Sequence, residues 1–245
     1  MPNPIKLKEL SKTVSVLAFC LIGIIASGQS QNDYGVCYTL KDALAHKEVV
    51  HTLRLRNDKK LTVLPEEVKE LRNLKVLDVS GTNLTSLPEA ISECKELEEI
   101  TANASRFKTI PSSIGKLKNL KILNFAYNQI DDIPSSLVKC SNLERLSLGS
   151  NNIDKIPEGF GNLDNMWFCD LAGNQLSKFS AEFLKLERVG NLWLHGNNIT
   201  SIPAEVCQMT SLTHLLIDAT EVENLNEIKM LCPGLRIIDE NNRRK

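Results

Sequence analysis

The sequence has almost no excess of either charge. Its 29 Lys and Arg residues nearly balance its 30 Asp and Glu residues, which gives a formal net charge of −1. Proteins that bind nucleic acids usually concentrate Lys and Arg in a basic patch, because phosphate contacts supply much of their affinity. The repeats described below contain no dense Lys/Arg run, and we interpret the basic C-terminal NNRRK as a solvated terminus. We therefore expect no nucleic-acid partner.

Standard motifs for phosphate binding, zinc binding and nucleophilic catalysis are also missing. The chain contains no GxxxxGK[ST], HExxH, GxSxG or paired CxxC pattern. Most of the chain belongs to a repeat array, which leaves no room for a separate catalytic domain. We therefore predict a protein that is not an enzyme and that uses no cofactor or metal.

The apolar run near the N-terminus, residues 14–25, is too short to cross a bilayer as a helix. A transmembrane helix needs about 20 apolar residues. Three lysines precede the run, and the small residues Ala26, Ser27 and Gly28 follow it, an order typical of a secretory signal peptide. We predict that residues 1–28 are removed on export to a secreted, periplasmic or extracellular location, with no membrane insertion afterwards. The alternative is an uncleaved N-terminal membrane anchor.

What the sequence does contain is a repeat with a period of 23 residues. The unit LKVLDVSGTNLTSLPEAISECKE begins at Leu74, which we number repeat position 0. Positions 0, 3 and 5 are apolar, and the step from 3 to 5 is typical of a β-strand, in which successive side chains point to opposite faces. The same phase recurs at Leu97, Leu120, Leu143, Met166, Val189, Leu212 and Leu235.

Two further repeat positions carry residues with a structural meaning. Proline recurs at position 14, and its fixed backbone suits a turn onto the outer face. Position 8 carries a small hydrogen-bonding side chain, which we predict to point inward and to bind backbone groups of the neighbouring turn. The residues at position 8 are Thr82, Ser105, Asn128, Asn151, Asn174, Asn197 and Thr220.

This pattern resembles the leucine-rich repeat family, in the 23-residue class written LxxLxLxxNxLxxLPxxIxxLxxL. The resemblance implies an α/β solenoid with parallel strands on a concave face and turns or short helices on a convex face. We expect an N-terminal cap at residues 29–49, eight repeats at 50–234, and a partial repeat with a polar tail at 235–245. The resemblance also implies a protein or peptide partner.

Four of the seven cysteines fall on core positions of the repeat. Cys94, Cys140 and Cys232 lie at position 20 and Cys169 at position 3, so we interpret them as small buried hydrophobic residues. We expect free thiols. Cys207 and Cys232 lie one repeat apart, and this is the pair for which a disulfide has to be tested.

Positions 2, 4 and 6 of each strand point away from the core, so packing does not dictate their residues. In the C-terminal half they form a cluster of aromatic and polar residues, the usual composition of a binding surface. The alternative is that Phe168 and Trp193 merely cover the sheet by cross-strand pairing. The candidate partner-binding residues are Phe168, Asp170, Trp193, His195, His214, Leu216, Asp218 and Tyr127.

The two histidines of this cluster are unsuited to a shared metal. His195 and His214 are four strand positions apart, which is ~13 Å along a strand. We expect His195 to pair with Asp218 on the neighbouring strand. The sequence therefore favours an exported, non-enzymatic binding module that presents its concave face to a protein or peptide. The alternative is a cytosolic leucine-rich repeat scaffold of a signalling pathway with an unprocessed N-terminus.

Overall fold

The strands of the molecule stack in chain order. The computed structural model describes residues 35–218 and 221–239, so the predicted signal peptide lies outside the described residues. Ten strands form one sheet in which each pairs in parallel with the next. They are β1 (Val36–Cys37), β2 (Thr52–Arg54), β3 (Val76–Asp78), β4 (Glu99–Thr101), β5 (Ile122–Asn124), β6 (Arg145–Ser147), β7 (Phe168–Asp170), β8 (Asn191–Trp193), β9 (His214–Ile217) and β10 (Arg236–Asp239).

The sheet register follows the 23-residue period. Leu77 is aligned with Ile100, and the same position continues through Leu123 and Leu146. These four side chains are fully buried, as are the apolar residues at positions 0 and 5 of the same repeats. The predicted phase of the repeat is therefore confirmed. No helix in the described ranges is long and apolar enough to cross a membrane.

The return segments form short 3-10 helices on the convex side. Proline occupies the N-cap of five of them, with φ between −75° and −62°, because it fixes the backbone without needing a hydrogen-bond acceptor. The predicted role of proline at the outer turn is confirmed. The 3-10 helices are Glu66–Glu70, Glu89–Glu93, Ser112–Lys116, Ser135–Lys139, Phe160–Asn162, Phe183–Lys185 and Ala204–Gln208.

The side chains at position 8 satisfy backbone groups inside the solenoid, as predicted. Asn151 Nδ2 donates to the carbonyl oxygens of Phe125 (3.0 Å) and Leu148 (2.9 Å). Its Oδ1 accepts a hydrogen bond from the Ile130 N–H at 2.9 Å. Asn174 and the residues equivalent to it in neighbouring repeats make the same set of bonds. Thr220 lies outside the described residues.

Short α-helices stand at both ends of the solenoid. Helix α1 (Leu40–Ala45) begins at Thr39, whose Oγ1 accepts a hydrogen bond from the Asp42 N–H at 3.1 Å. Helix α2 (Leu225–Leu231) replaces the 3-10 turn in the last repeat. That repeat has Asn226 at position 14, where five others have proline.

The expectation of free thiols is wrong for one pair of cysteines. Cys207 and Cys232 form a disulfide, with their Cα atoms 5.2 Å apart. Stacking of successive return segments brings these two positions within disulfide range, since Cys207 lies in the last 3-10 helix and Cys232 directly follows α2. Cys94, Cys140 and Cys169 are fully buried free thiols, and burial raises the pKa of Cys94 and Cys140 to about 11.

Candidate functional site

The C-terminal half of the concave face contains two aromatic rings in edge-to-face contact. Asp170 on β7 is aligned with Trp193 on β8, and Trp193 is aligned with Leu216 on β9. This register places Phe168 diagonally opposite Trp193, with ring centroids 4.9 Å apart and planes at 75°. Both side chains are half-buried. The structure therefore brings together the two aromatic residues that the sequence analysis grouped.

Two residues that the sequence analysis did not select extend this pair. The Trp167 side chain is 42% exposed, and its ring centroid lies 5.9 Å from that of Phe168. The Arg145 Cζ lies 5.4 Å from the ring centroids of both Trp167 and Phe168. This is the geometry of a cation–π contact. We refer to Arg145, Trp167, Phe168 and Trp193 as the aromatic edge.

The repeat pattern marks Trp167 as an unusual residue at its position. Position 1 alternates in charge through the four preceding copies and then becomes tryptophan. In the structure the alternation produces a row of ion pairs on the surface. A large aromatic residue that interrupts such a row has no counterpart in the repeat pattern. The residues at position 1 are Lys75, Glu98, Lys121, Glu144 and Trp167.

Leu216 and His214 contribute less accessible surface than the sequence suggests. Leu216 is only 5% exposed, because its strand is flanked by Trp193 on one side and by Ile238 of β10 on the other. His214 is half-buried, and its Nδ1 lies 2.9 Å from Thr213 Oγ1. Leu216 therefore forms the floor of the candidate site.

Asp170 has a structural role at the end of its strand. Its Oδ1 accepts a hydrogen bond from the Ala172 N–H at 3.0 Å, and Asn124 makes the equivalent bond to Ala126 at 3.1 Å. Burial raises the pKa of the Asp170 carboxyl, while the Ala172 hydrogen bond and the charge of His195 oppose the rise. Asp170 is therefore a partly desolvated acid beside a histidine.

The predicted pairing of His195 with Asp218 stays a prediction. The Asp218 carboxylate accepts a hydrogen bond from the backbone N–H of Gly196, one residue beyond His195. The His195 Nδ1 is buried and has no hydrogen-bond partner among the described residues. The described ranges contain no group of three or more His, Cys, Asp or Glu side chains placed to hold a metal ion.

Tyr127 lies apart from the aromatic edge. It follows β5, with β6 between it and β7, and it is at the opposite end of the strands from Phe168. Its side chain is 66% exposed and its φ is +57°. A positive φ recurs at position 7 of every repeat from Gly81 to Gly196, so the turn after the strand requires it. Tyr127 thus occupies a turn position that glycine would fill without strain.

Comparison with known proteins identifies the family. Two models match, described as Leucine Rich Repeat over residues 73–94 and Leucine Rich repeats (2 copies) over residues 118–165. The chain is a leucine-rich repeat protein. Its parallel sheet with short helices on the convex face is the α/β solenoid of that family. No relative was found among curated proteins.

Several solved leucine-rich repeat structures are similar to this one. A leucine-rich repeat protein of Leptospira interrogans is 27% identical with a TM-score of 0.74, over 81% of this chain and 50% of that chain. The ectodomain of the plant receptor kinase GASSHO1/SCHENGEN3 from Arabidopsis thaliana, in complex with Casparian strip integrity factor 2, is 26% identical with a TM-score of 0.62, over 69% of this chain and 21% of that chain. Internalin C2 of Listeria monocytogenes is 22% identical with a TM-score of 0.68, over 80% of this chain and 83% of that chain. The protein thus spans about half the length of the Leptospira chain and about a fifth of the plant chain.

Proposed function

We propose that this leucine-rich repeat protein is a non-enzymatic binding module that holds a protein or peptide against its concave face. The aromatic edge supplies the anchors. Of the remaining candidate residues, Asp170, His195, His214, Leu216 and Asp218 form the floor and the polar surroundings of the same site, and Tyr127 would contact only a partner that extends to the turn after β5. The plant ectodomain with a bound factor offers a precedent for a partner on this fold.

The observation that carries this proposal is the contact between the rings of the aromatic edge together with the exposure of Trp167. Tryptophan, tyrosine and arginine are the residues that most often dominate binding energy at protein interfaces. Here Trp167 is 42% exposed, and Phe168 and Trp193 meet edge to face on adjacent strands. The strands hold these rings in fixed positions, so a partner loses little side-chain entropy in the contact.

The residues beside the aromatic edge are small. Ser147 and Gly149 lie on β6 and just after it, and Ala172 follows β7. A Cβ added at Gly149 would lie within 3.0 Å of both carboxylate oxygens of Asp170. The absence of a side chain at Gly149 therefore lets the Asp170 carboxylate lie close against the sheet, and a larger residue there would have to displace it.

The proposal is tested by affinity capture with the full chain, followed by titration with the captured partner. We expect Trp193→Ala to weaken binding by ~2 kcal/mol or more, about 30-fold in Kd, and Phe168→Ala/Trp193→Ala to abolish capture. Both side chains lie outside the buried core, so the melting temperature should change little.

The matched control uses the same two repeat positions four strands away. Val76 on β3 and Thr101 on β4 are half-buried and stand in the same diagonal relation as Phe168 and Trp193. Val76→Ala/Thr101→Ala should bind the partner like wild type. Equal affinity of wild type and the Phe168→Ala/Trp193→Ala variant would mean that the rings only cover the sheet.

We also propose that the chain is exported. The Lys-rich start, the short apolar run and the small residues before Gln29 support a cleaved signal peptide. The disulfide between Cys207 and Cys232 is a second, independent support, because disulfides persist mainly in oxidising compartments. Intact-mass measurement of the protein from cell fractions is the test. A chain that retains Met1 and has both thiols reduced would instead be a cytosolic scaffold.

A further inference from the structure

The guanidinium group of Arg145 lies against two rings of the aromatic edge. Arg145 begins β6 and its side chain is exposed. Its Cζ lies at the same distance, 5.4 Å, from the rings of Trp167 and Phe168. A guanidinium group that rests on aromatic rings loses much of its freedom before any ligand arrives. The two ring contacts therefore restrict where its planar N–H donors can lie.

Glu98, the acidic residue in the middle of the charged row, already has two partners. Lys75 Nζ lies 3.6 Å from one carboxylate oxygen of Glu98, and Lys121 Nζ lies 2.8 Å from the other. The hydrogen bond and the charge of Glu98 raise the pKa of Lys121, and the charge of Glu144 adds to the rise. Arg145 forms no ion pair or hydrogen bond through its guanidinium with any residue in the described ranges 35–218 and 221–239. It is thus a positive charge that has no acid partner in this part of the chain and remains open to an external acceptor.

We propose that Arg145 binds a carboxylate of the partner peptide, and that an apolar side chain next to this carboxylate rests on Phe168 and Trp193. This inference rests on the proposed peptide-binding function and specifies its chemistry. Carboxylate is the anion that fits the guanidinium fork with two parallel hydrogen bonds. The ring centroids of Phe168 and Trp193 are 4.9 Å apart, so the apolar side chain has to come from a residue close to the acid.

The ring geometry favours a peptide side chain over a sugar. A sugar ring stacks on a flat, open aromatic face. The Phe168 and Trp193 planes meet at 75°, and those of Trp167 and Phe168 meet at 59°, so neither pair forms a continuous platform. Rings in edge-to-face contact present a ring face and a ring edge at an angle to each other, which suits an apolar peptide side chain. Asp and Glu side chains and a free chain end share the carboxylate chemistry, and the test below separates them.

The test uses defined peptides instead of an unidentified partner. Random peptides displayed on phage are selected on the purified full chain, and sequences that fail to bind Trp193→Ala are retained. The retained peptides are synthesised with a blocked N-terminus, each with either a free or an amidated C-terminus. Each is matched by a twin in which Gln or Asn replaces Glu or Asp. Binding is measured on wild type, Arg145→Gln and the control Arg54→Gln, an exposed arginine on β2.

We expect the acidic peptides to bind wild type at least about tenfold more tightly than their amide twins, as a charge-assisted pair requires. Arg145→Gln should bind acidic peptides and amide twins equally, and its affinity for the amide twins should stay within about threefold of the wild-type value. Arg54→Gln should keep the wild-type preference for the acidic peptides. A preference that follows the C-terminal carboxylate identifies the chain end as the ligand group. A preference that follows Asp or Glu identifies a side chain.

Three results would overturn the inference. Equal affinity for acidic peptides and amide twins, or a preference that survives in Arg145→Gln, refutes the carboxylate site and leaves peptide binding intact. Failure of the selection to yield any peptide that depends on Trp193 refutes both the inference and the proposed function. Binding of oligosaccharides on a glycan array that is lost in Trp193→Ala would replace the peptide with a sugar. Arg145 is exposed, so Arg145→Gln should leave the melting temperature unchanged. This measurement verifies that each variant is folded.

Discussion

Replacing Asn151 with alanine should measure how much the inward asparagines stabilise the solenoid. The Asn151 side chain is 7% exposed and binds backbone groups on two rungs. It donates to the carbonyls of Phe125 and Leu148 and accepts from the Ile130 N–H. In a solenoid each repeat contacts its neighbours only, so loss of these bonds weakens the interface between two rungs.

The expected loss of stability depends on which hydrogen-bond partners each backbone group keeps in the variant. The Ile130 N–H loses its only hydrogen-bond acceptor among the described residues, at a cost of about 1–3 kcal/mol for a buried unpaired donor. The two carbonyls each keep a second donor, Asn128 Nδ2 for Phe125 and Asn174 Nδ2 for Leu148. Each carbonyl therefore loses one ordinary hydrogen bond, about 0.5–1 kcal/mol. We predict that Asn151→Ala lowers the free energy of unfolding by about 2–5 kcal/mol.

The neighbouring Asn152 provides the matched control. It is exposed, and its side chain forms no hydrogen bond with any residue in the described ranges. Asn152→Ala should change stability by less than about 0.5 kcal/mol. Urea unfolding measures the two midpoints, and native-state hydrogen exchange should show faster exchange of the Ile130 amide in Asn151→Ala alone. Coincident midpoints and unchanged Ile130 exchange would refute this account of position 8.

Three further perturbations examine the core, the C-terminal end and the buried acid. Leu146→Ala should cost about 2–5 kcal/mol through a core cavity, and an unchanged melting curve would mean that the phase of the repeat is wrong. Cys207→Ser/Cys232→Ser should cost about 3 kcal/mol for a loop with sequence separation 25, and the effect should match that of a reducing agent on wild type. Burial raises the pKa of Asp170, so its ionised form destabilises the fold at neutral pH, and stability falls as pH rises through the folded-state pKa. Asp170→Asn keeps an acceptor for the Ala172 N–H, as Asn124 does for Ala126, and should raise the urea midpoint at pH 7. This gain in stability should vanish below pH 3.8, the ordinary Asp value, where Asp170 is neutral in both states. A gain that persists in acid would mean that desolvation of the charge is not its cause.

The period of the sequence is sufficient to predict the fold because packing acts at every repeat. A residue at position 3, such as Leu123 or Cys169, is buried wherever it occurs, so its role can be assigned without coordinates. The disulfide could not be assigned in this way. Whether Cys207 and Cys232 meet depends on how α2 is placed against the last 3-10 helix, and the last repeat departs from the pattern at that point.

The candidate site could be predicted only in part from the sequence. Which of its side chains are exposed depends on their direction and on the neighbouring strands that cover them. Strand alternation correctly places Phe168 and Trp193 on the concave side. It gives no sign that β10 covers Leu216, since that covering depends on a strand outside the regular repeats. Trp167 was missed because position 1 is not an outward position of the strand, although its side chain reaches around the strand end to Phe168.

The interruption at Trp167 supports a binding role more strongly than the aromatic content does. A lysine at this position would continue the charged row and pair with Glu144, an exposed ion pair worth about 0–1 kcal/mol. The contact that replaces it, Arg145 against the exposed Trp167 ring, is worth about 0.5–1 kcal/mol. The two arrangements therefore contribute nearly the same amount to folding stability. What differs is the surface: the charged row is internally neutralised, whereas the tryptophan leaves an open ring beside a guanidinium that has no acid partner among the described residues. A partner that brings both an apolar group and a carboxylate would benefit from this second arrangement alone.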